Sequence, residues 1–259
     1  MKLKFLGTGG GRYVTSLQDR RTAGIIVETE ETQIHVDPGP GALVYNHEET
    51  DNPLGTEAVL VSHAHLDHSN DAKPIIEMMT EGASKPGAVF ANETSLHGYG
   101  DIEKVISDYH QDLCVKVEQL EQGTETQFKD LKIESQQMFH GDPKTIGFIL
   151  EDDEHRIGFW TDSEFSEELL DFYEDCDIMV IYATMPKEKS IPSHTSISEV
   201  PEILEAVEPT TGIITHFGKS MMNSGVEEQE KWLEEQTDCK TIFAEDNMVF
   251  PGNRSLMSF

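Results

Sequence analysis

The chain has few cysteines, few basic residues and no long apolar run. Its three cysteines, Cys114, Cys176 and Cys239, are odd in number and widely spaced, which argues against a disulfide framework and favours a reducing compartment. No stretch approaches the roughly 20 consecutive apolar residues that a membrane-spanning helix needs. The first residues include lysines but no apolar core of signal-peptide length. We therefore predict a cytoplasmic protein with no membrane partner.

The shortage of basic residues makes the chain strongly acidic. Its 19 lysines and arginines are outnumbered by 49 aspartates and glutamates, for a formal net charge of −30. Such a surface repels phosphate backbones, whose binding relies on Lys and Arg, so it disfavours a nucleic-acid partner without excluding one. The acidity is equally typical of a surface kept soluble in a salty cytoplasm. The sequence does not separate these two interpretations.

The chain has 259 residues, of which 37% are hydrophobic, enough for a sizeable core. Strand patterns alternate with helical patterns throughout, and no linker or low-complexity segment interrupts them, so we predict one domain over residues 1–259. A helix is predicted from about Thr94 to Tyr109 and another over residues 164–173. No helical pattern follows the glycine run at residues 7–11, and His47 is assigned to an acidic loop.

One stretch concentrates chemically useful side chains at the end of a strand. The apolar run 59–61 is typical of a buried strand, and the residues that follow Ser62 include His63, His65, Asp67 and His68. Side chains two apart lie on one side of an extended chain, so the first two histidines can bind one metal ion. If the chain then turns, Asp67 and His68 can face a second ion. Imidazole nitrogen and carboxylate oxygen are ligands that Zn²⁺ accepts.

Three more potential ligands also stand at the ends of predicted strands. They are His140, Asp162 and His216. Loops at one edge of a scaffold are where sites are usually built, although each of these residues taken alone could be structural. His194 precedes a predicted helix in which Ser196 and Glu199 fit a capping box. It is a candidate catalytic residue, and a hydrogen bond within the capping loop is the alternative.

The stretch from His63 to His68 resembles the H-x-H-x-D-H signature of the metallo-β-lactamase fold hydrolases. The opening Leu6-Gly7-Thr8-Gly9 resembles the first-strand loop of the ribonuclease Z and cyclic-phosphodiesterase branch of that family. The resemblance implies an α/β fold, a four-layer αββα sandwich with two β-sheets face to face and helices outside. Asp37 resembles the family's buried aspartate, which braces the metal loop from behind the ligands.

The same resemblance implies two divalent metal ions and divides the ligands between them. Zinc is favoured, with manganese or iron as alternatives. One ion would be held by His63, His65 and His140, the other by Asp67, His68 and His216, and Asp162 would bridge the two. Two ions roughly 3.5–4 Å apart can share a hydroxide, and zinc lowers the pKa of bound water to about 7.

These features together predict a phosphodiesterase that acts on a small or cyclic phosphodiester through a metal-bridging hydroxide. Asp67 can orient that hydroxide by accepting its hydrogen bond. His194 resembles the histidine that ribonuclease Z-like enzymes place before their penultimate helix, where it contacts the scissile phosphate or protonates the leaving oxygen.

Three other functions remain open on the sequence alone. A thioester or lactone hydrolase like glyoxalase II shares the ligands. An RNA-processing nuclease of the ribonuclease Z type normally has a basic tRNA-gripping arm, which the segment 93–139 does not show. A binding protein that keeps its metal for folding is the non-enzymatic alternative. The oligomeric state is also open, and a homodimer is possible. The sequence does not show whether Lys144, Lys219, Arg20 and Arg21 surround the pocket.

Overall fold

The computed structural model describes residues 1–251, which form two β-sheets packed face to face with helices on their outer sides. The strands, in chain order, are β1 (Lys2–Phe5), β2 (Ile25–Glu28), β3 (Gln33–Val36), β4 (Ala58–Val61), β5 (Ala88–Asn92), β6 (Lys116–Leu120), β7 (Glu125–Phe128), β8 (Leu131–Gln137), β9 (Ile146–Glu151), β10 (Arg156–Trp160), β11 (Ile178–Met185), β12 (Thr195–Ser196), β13 (Thr211–Thr215), β14 (Lys240–Phe243) and β15 (Met248–Phe250). One sheet has the order β15-β1-β2-β3-β4-β5-β6, and the other β14-β13-β11-β10-β9-β8-β7, with β12 beside β11.

The helices are short and lie between the strands in the chain. They are α1 (Gly11–Leu17), α2 (Ala42–Glu49), α3 (Leu66–Ser69), α4 (Ala72–Thr80), α5 (Glu93–His97), α6 (Asp108–Asp112), α7 (Val200–Val207), α8 (Lys219–Ser224) and α9 (Val226–Glu234), with 3₁₀ turns at Pro53–Gly55, Glu167–Tyr173 and Ile197–Glu199. No helix in residues 1–251 is long and apolar enough to cross a membrane.

The main core lies between the two sheets. Phe5 and Phe90 from the first sheet share one buried cluster with Phe148 and Phe159 from the second. Each sheet buries its outer face under helices, since alternate residues of a strand point to opposite faces. Val59 and Val61 of β4 pack under Ile75, Ile76 and Met79 of α4, while Trp160 and Met179 pack under Ile203 and Leu204 of α7. This layering confirms the predicted α/β sandwich.

Strand direction brings three of the predicted ligands to one edge of the second sheet. Strands β10, β11 and β13 are parallel, so their carboxyl ends share an edge. Strand β8 is antiparallel to β9, which is antiparallel to β10, so β8 ends at that edge too. His140, Asp162 and His216 follow β8, β10 and β13 respectively. The topology of this sheet therefore brings these three residues to a common edge.

Four local predictions were wrong. Helix α1 follows the glycine run, and α2 takes the place of the loop around His47. The helix predicted over residues 94–109 is two short helices, because Gly98 and Gly100 between them have φ of +78° and +58°, which helices do not accommodate. The segment predicted as a helix over residues 164–173 forms a 3₁₀ turn at Glu167–Tyr173. The predicted capping box of Ser196 and Glu199 is confirmed.

Candidate metal centre

Three histidines converge in a group that we call the first cluster: His63, His65 and His140. The Nε2 atoms of His63 and His140 each lie 3.0 Å from Nδ1 of His65. His63 is fully buried, and the ligand atoms of the three residues lie close enough together to hold one metal ion. The two residues from the H-x-H stretch thus meet a histidine that is 75 residues further along the chain than His65.

Three residues on the other side form the second cluster: Asp67, His68 and His216. The Nε2 atoms of His68 and His216 are 3.0 Å apart. Oδ2 of Asp67 lies 3.6 Å from Nε2 of His68 and 3.4 Å from Nε2 of His216. These three ligand atoms could also hold one ion. Asp67 and His68 lie in α3, which begins directly after His65, and the ring centroid of His68 is 4.1 Å from that of His63, so the two clusters adjoin.

Asp162 lies between the two clusters. Its Oδ2 atom is 3.9 Å from Nε2 of His63 and 3.7 Å from Nε2 of His140, both in the first cluster. The same atom is 3.4 Å from Nε2 of His68, in the second cluster. Its other oxygen, Oδ1, is buried and makes no hydrogen bond, although it lies 3.0 Å from Nδ1 of His216. A buried carboxylate normally needs partners, so Asp162 has the environment of a ligand shared by two cations.

Hydrogen bonds on the far side of the rings determine which nitrogens face the centre. Nδ1 of His140 donates to the carbonyl oxygen of Ser193 over 2.7 Å, and Nδ1 of His68 donates to Oδ2 of Asp37 over 3.0 Å. A neutral imidazole has only one N–H, so Nε2 of His140 presents a lone pair to its cluster, and Nε2 of His68 does so once that ring has lost its extra proton. Facing lone pairs are what a metal ion requires of histidine ligands. The residues present therefore fit a pair of metal ions.

Asp37 organises the second cluster from behind, as the sequence predicts. Its Oδ1 accepts from the backbone N–H of Ser62 at 2.7 Å, and its Oδ2 accepts from the Ser62 hydroxyl at 2.8 Å and from Tyr182 at 3.2 Å, besides His68. The ring of Tyr182 stacks on that of His216, with centroids 5.2 Å apart. One carboxylate thus fixes the start of the histidine loop and one of its rings.

Sequence reasoning missed Asp142, which supports the other side of the same loop. Its Oδ2 accepts from the backbone N–H of Ala64 at 3.1 Å and from the Asn92 amide at 3.0 Å. Its Oδ1 accepts from the Thr94 hydroxyl at 2.7 Å and from the Lys144 backbone N–H at 3.0 Å. Asp142 is fully buried. The only sequence signal was its place in the turn directly after His140.

The glycine run, which the sequence did not connect with the ligands, packs against the second cluster. A Cβ atom on Gly10 would lie 2.2 Å from Nε2 of His216, so only glycine fits there. The backbone N–H of Gly11 donates to Oδ2 of Asp67 over 2.6 Å. Asp246 secures the start of the run by accepting from both the backbone N–H and the hydroxyl of Thr8. The run therefore closes the centre from one side.

Burial and charge shift the pKa values of His63 and His140 in the first cluster and of His68 in the second cluster in opposite directions. Burial lowers the pKa of His140 to about 4 and that of His63 well below its ordinary value. Burial also disfavours the charged form of His68, but the carboxylates of Asp67 and Asp37 outweigh it and raise the pKa of His68 well above its ordinary value. For Asp67, burial is outweighed by His68 and His216, so its pKa is lowered.

The structure places His194 beside the centre. Its Nδ1 atom lies 3.9 Å from Oδ1 of Asp162, and its ring centroid lies 4.9 Å from that of His140. The Nδ1 atom makes no hydrogen bond, and 22% of the side chain is exposed. Burial lowers the pKa of His194. The capping box next to it uses Ser196 and Glu199 and does not involve the imidazole.

The four cations considered for the pocket all have other partners. The guanidinium of Arg20 donates to the Thr8 hydroxyl and lies over the ring of Phe217. The remaining three form ion pairs, which are Arg21 with Glu49, Lys144 with Glu93 and Lys219 with Asp19. Their contacts are structural rather than directed at the centre.

Comparison with known proteins identifies relatives over nearly the whole chain. Residues 32–217 match the model of the beta-lactamase superfamily domain. An uncharacterized protein of Methanocaldococcus jannaschii, MJ1374, is 33% identical over 245 residues, which cover 93% of this chain and 91% of that protein. Ribonuclease Z of Methanopyrus kandleri is 25% identical over 152 residues, or 58% of this chain and 50% of that enzyme.

Solved structures share the same fold at low sequence identity. The metallo-beta-lactamase fold protein YhfI of Bacillus subtilis superposes with a TM-score of 0.79 at 15% identity, covering 96% of this chain and 98% of that one. A diphosphatase of the PhnP family gives 0.69 at 16% identity, covering 96% of each chain. The short form of human tRNase Z gives 0.68 at 14% identity, covering 96% and 98%. The chain therefore belongs to the beta-lactamase superfamily and has the metallo-β-lactamase fold.

Proposed function

We propose that this protein is a metal-dependent hydrolase with two ions, and that it cleaves a small or cyclic phosphodiester. In this proposal the first cluster holds one ion, the second cluster holds the other, and Asp162 bridges them. Zinc is favoured because the first cluster offers imidazole nitrogen only. The observation that carries the proposal is the position of Asp162 Oδ2, which lies within 3.4–3.9 Å of ligand nitrogens from both clusters.

The bound ions would supply a nucleophile at neutral pH and neutralise charge that develops on the phosphoryl oxygens. The chain's own residues would orient the reactants. Asp67 is ionised at neutral pH, because its pKa is lowered, so it can accept a hydrogen bond from the attacking water but not donate one. The N–H of Gly11 fixes the orientation of this carboxylate.

His194 would contact the substrate rather than an ion. Its lowered pKa makes the ring mostly neutral at pH 7, and a neutral imidazole still carries one N–H. Because the side chain is 22% exposed beside Asp162, this N–H can donate to a phosphoryl oxygen or to the leaving oxygen. Hydrogen bonding or proton transfer at a leaving group is worth typically about 10²–10⁴-fold in rate.

Two features support a small phosphodiester. The proteins named above include a diphosphatase and two ribonucleases of the Z type, so the fold serves reactions at phosphorus in other proteins. In this chain, the segment between Glu93 and Phe139 forms α5, α6 and strands β6–β8, which belong to the two sheets. That segment is not a separate arm, and the net charge of −30 disfavours a long nucleic acid.

The test combines metal analysis with turnover of bis(p-nitrophenyl) phosphate in the presence of Zn²⁺ or Mn²⁺. We expect two ions per chain, together with turnover that a chelator abolishes and added metal restores. Purified protein with at most trace metal, despite incubation with Zn²⁺ and Mn²⁺, would contradict the metal assignment. Protein with two bound ions and no turnover of any phosphodiester would contradict the reaction.

A thioester or lactone hydrolase is the second candidate function. The same clusters could polarise a carbonyl as well as a phosphoryl group, and the N–H of His194 could donate to either leaving atom. A panel of thioesters and lactones measured beside bis(p-nitrophenyl) phosphate separates the two. Faster turnover of a thioester or lactone than of every phosphodiester would reverse the order of the two candidates.

A further inference from the structure

The backbone of His216 has a conformation that its surroundings must enforce. Its φ is +65°, and it is the only proposed ligand within residues 1–251 with a positive φ. A residue with a β-carbon is uncommon in this left-handed region, and it stays there only where neighbouring contacts fix it. The contacts around His216 therefore decide whether its ring keeps its place in the second cluster.

The residue that follows His216 is bonded to the glycine run. The backbone N–H of Phe217 donates to the Thr8 carbonyl at 2.8 Å, and its carbonyl accepts from the N–H of Gly10 at 3.2 Å. The ring of Phe217 is fully buried and stacks on that of Phe243, with centroids 5.6 Å apart. The position of His216 therefore depends on how firmly its neighbour Phe217 and the glycine run are held.

The side chain of Arg20 joins three segments at this point. Its Cζ atom lies 4.8 Å from the ring centroid of Phe217. Its Nη1 donates to the Thr8 hydroxyl at 2.7 Å and to the Ala244 carbonyl, directly after β14, at 3.0 Å. A planar guanidinium can lie over a ring and donate several hydrogen bonds at once. Arg20 thus connects the glycine run, the segment after His216 and the end of β14.

Asp246 bonds to the same hydroxyl from the connection between β14 and β15. Its Oδ1 accepts from the N–H of Thr8 at 2.9 Å and from the Thr8 hydroxyl at 2.7 Å, and its Oδ2 accepts from the Arg21 N–H at 2.9 Å. The Thr8 hydroxyl therefore donates to Asp246 and accepts from Arg20. Because Thr8 is buried, loss of either partner would leave a polar group unsatisfied. We call Thr8, Arg20 and Asp246 the Arg20 network.

We propose that Arg20 is a positioning residue that sets the affinity of the second cluster for its ion. It acts on His216 through Phe217, and on His216 and Asp67 through the glycine run, which touches both ligands. Its guanidinium need not approach the ion, because the bonded backbone transmits its effect. These contacts lead to ligands of the second cluster, so the first cluster should keep its affinity. The inference rests on the proposed centre with two ions.

The test compares Arg20→Ala with Arg21→Ala in full-length protein. Arg21 is a matched control, because it is also partly buried, its guanidinium lies over the ring of Tyr45 and it pairs with Glu49. The substitution leaves its backbone bonds in place. We expect Arg20→Ala to lower the affinity of the second cluster for Zn²⁺ about tenfold, as for other residues that support ligands from behind. The affinity of the first cluster, and both affinities in Arg21→Ala, should match those of the wild type.

Competition with a chelator measures the two affinities without turnover. A His216→Ala reference, which lacks one ligand of the second cluster, identifies which affinity belongs to that cluster. Unfolding of the metal-free proteins by urea shows how much stability each substitution removes, so a general loss of stability is distinguished from a selective loss of one ion.

Two further variants keep the test decisive even where Arg20→Ala folds poorly. Arg20→Lys retains the charge over the ring of Phe217 but not the planar fork, so it should recover part of the lost affinity. Thr8→Val removes the hydroxyl at which Arg20 and Asp246 meet. Its effect on the second affinity should be less than additive with that of Arg20→Lys, because the two residues belong to one network.

The outcomes separate this inference from the proposed function. Unchanged affinities in the Arg20 variants, an equal loss at both clusters, or the same loss in Arg21→Ala would overturn the positioning role and leave the centre with two ions intact. Wild-type protein that binds no ion would overturn the centre, and the positioning role with it. Wild-type protein with two ions and no turnover would contradict the phosphodiesterase alone, since the positioning role is judged on the affinities.

Discussion

The two clusters differ in what determines the protonation state of their histidines. The first contains imidazoles only, and burial lowers the pKa of His63, His65 and His140, so these rings are neutral at pH 7 even without an ion. The second contains Asp67 and touches Asp37, and those carboxylates raise the pKa of His68. An ion entering the second cluster must therefore displace a proton. Burial thus sets the protonation state of the histidines in the first cluster, whereas nearby carboxylates set that of His68 in the second.

Removal of the shared carboxylate should have the largest effect, because it acts on both halves at once. Asp162→Ala is expected to lose tight binding of both ions and to lower kcat/KM for a phosphodiester by about a thousandfold or more. Elemental analysis and steady-state kinetics check this, with Asp112→Ala, an exposed aspartate in α6, as the control. Two tightly bound ions in Asp162→Ala would rule out the bridging position.

His35 tests the contrast between a buried histidine whose pKa is dominated by burial and one, His68, in which carboxylates outweigh burial. It is fully buried, its Nε2 bonds to the Ala23 carbonyl, and burial lowers its pKa to about 4. Between its ordinary value of 6.5 and about 4, the unfolded chain binds a proton that the folded chain does not, so folding stability falls as the pH drops through this range. The shift corresponds to about 3 kcal/mol.

Chemical denaturation with chelator present, at about pH 7.5 and about pH 4, measures this difference. The wild type should lose about 3 kcal/mol more than His35→Gln, which cannot titrate. Because both proteins lack metal under these conditions, ion release does not contribute to the comparison. Equal losses for the two proteins would show that His35 is not the group responsible.

Substitutions of the two supporting aspartates, Asp37 and Asp142, should each affect metal binding in a different cluster. Asp37→Asn removes the acceptor that orients His68, so the affinity of the second cluster for its ion should fall about 10–100-fold. Asp142→Asn loosens the loop at Ala64, between His63 and His65. The affinity of the first cluster for its ion should therefore fall instead. Competition with a chelator resolves the two affinities. If both variants weaken the same ion, the supporting roles are not divided between the clusters.

The smallest effect is expected at Thr184, whose hydroxyl lies 3.0 Å from Nδ1 of His216. Thr184→Val keeps the shape of the side chain and removes this hydrogen bond. The affinity of the second cluster for its ion should therefore fall by about tenfold. Thr184→Ser keeps the hydroxyl and serves as the control. The same titration with a chelator measures both variants. An equal weakening in Thr184→Ser would assign the effect to packing of the methyl group.

Much of this arrangement could be predicted because its signals are local. The order of strand and then ligand is visible at His63, His140, Asp162 and His216, and the topology of the second sheet brings the last three of those strand ends to one edge. The residues that support the ligands carry no such signal. Asp142 and Thr184 are single polar residues in a turn and a strand, and only contacts across the fold reveal what they bind.

The helix errors have a similar cause. Helix α2 buries only Ala42 and Asn46, one of them polar, so no apolar stripe marks it in the sequence. Helix α1 is seven residues long and buries only Val14 and Thr15, and its position is set by contacts with the second cluster. Periodicity detects helices that pack on a broad apolar face, which neither of these does.

The bond from Asp246 to Thr8 spans 238 residues. During synthesis, the loop that presses Gly10 onto His216 therefore cannot be secured until nearly the entire polypeptide has left the ribosome. His216, the last of the proposed metal ligands, precedes Asp246 in the chain, so a nascent chain carries every proposed ligand before that moment. Loading of the ions in the proposed geometry is thus a late event in the life of a newly made molecule.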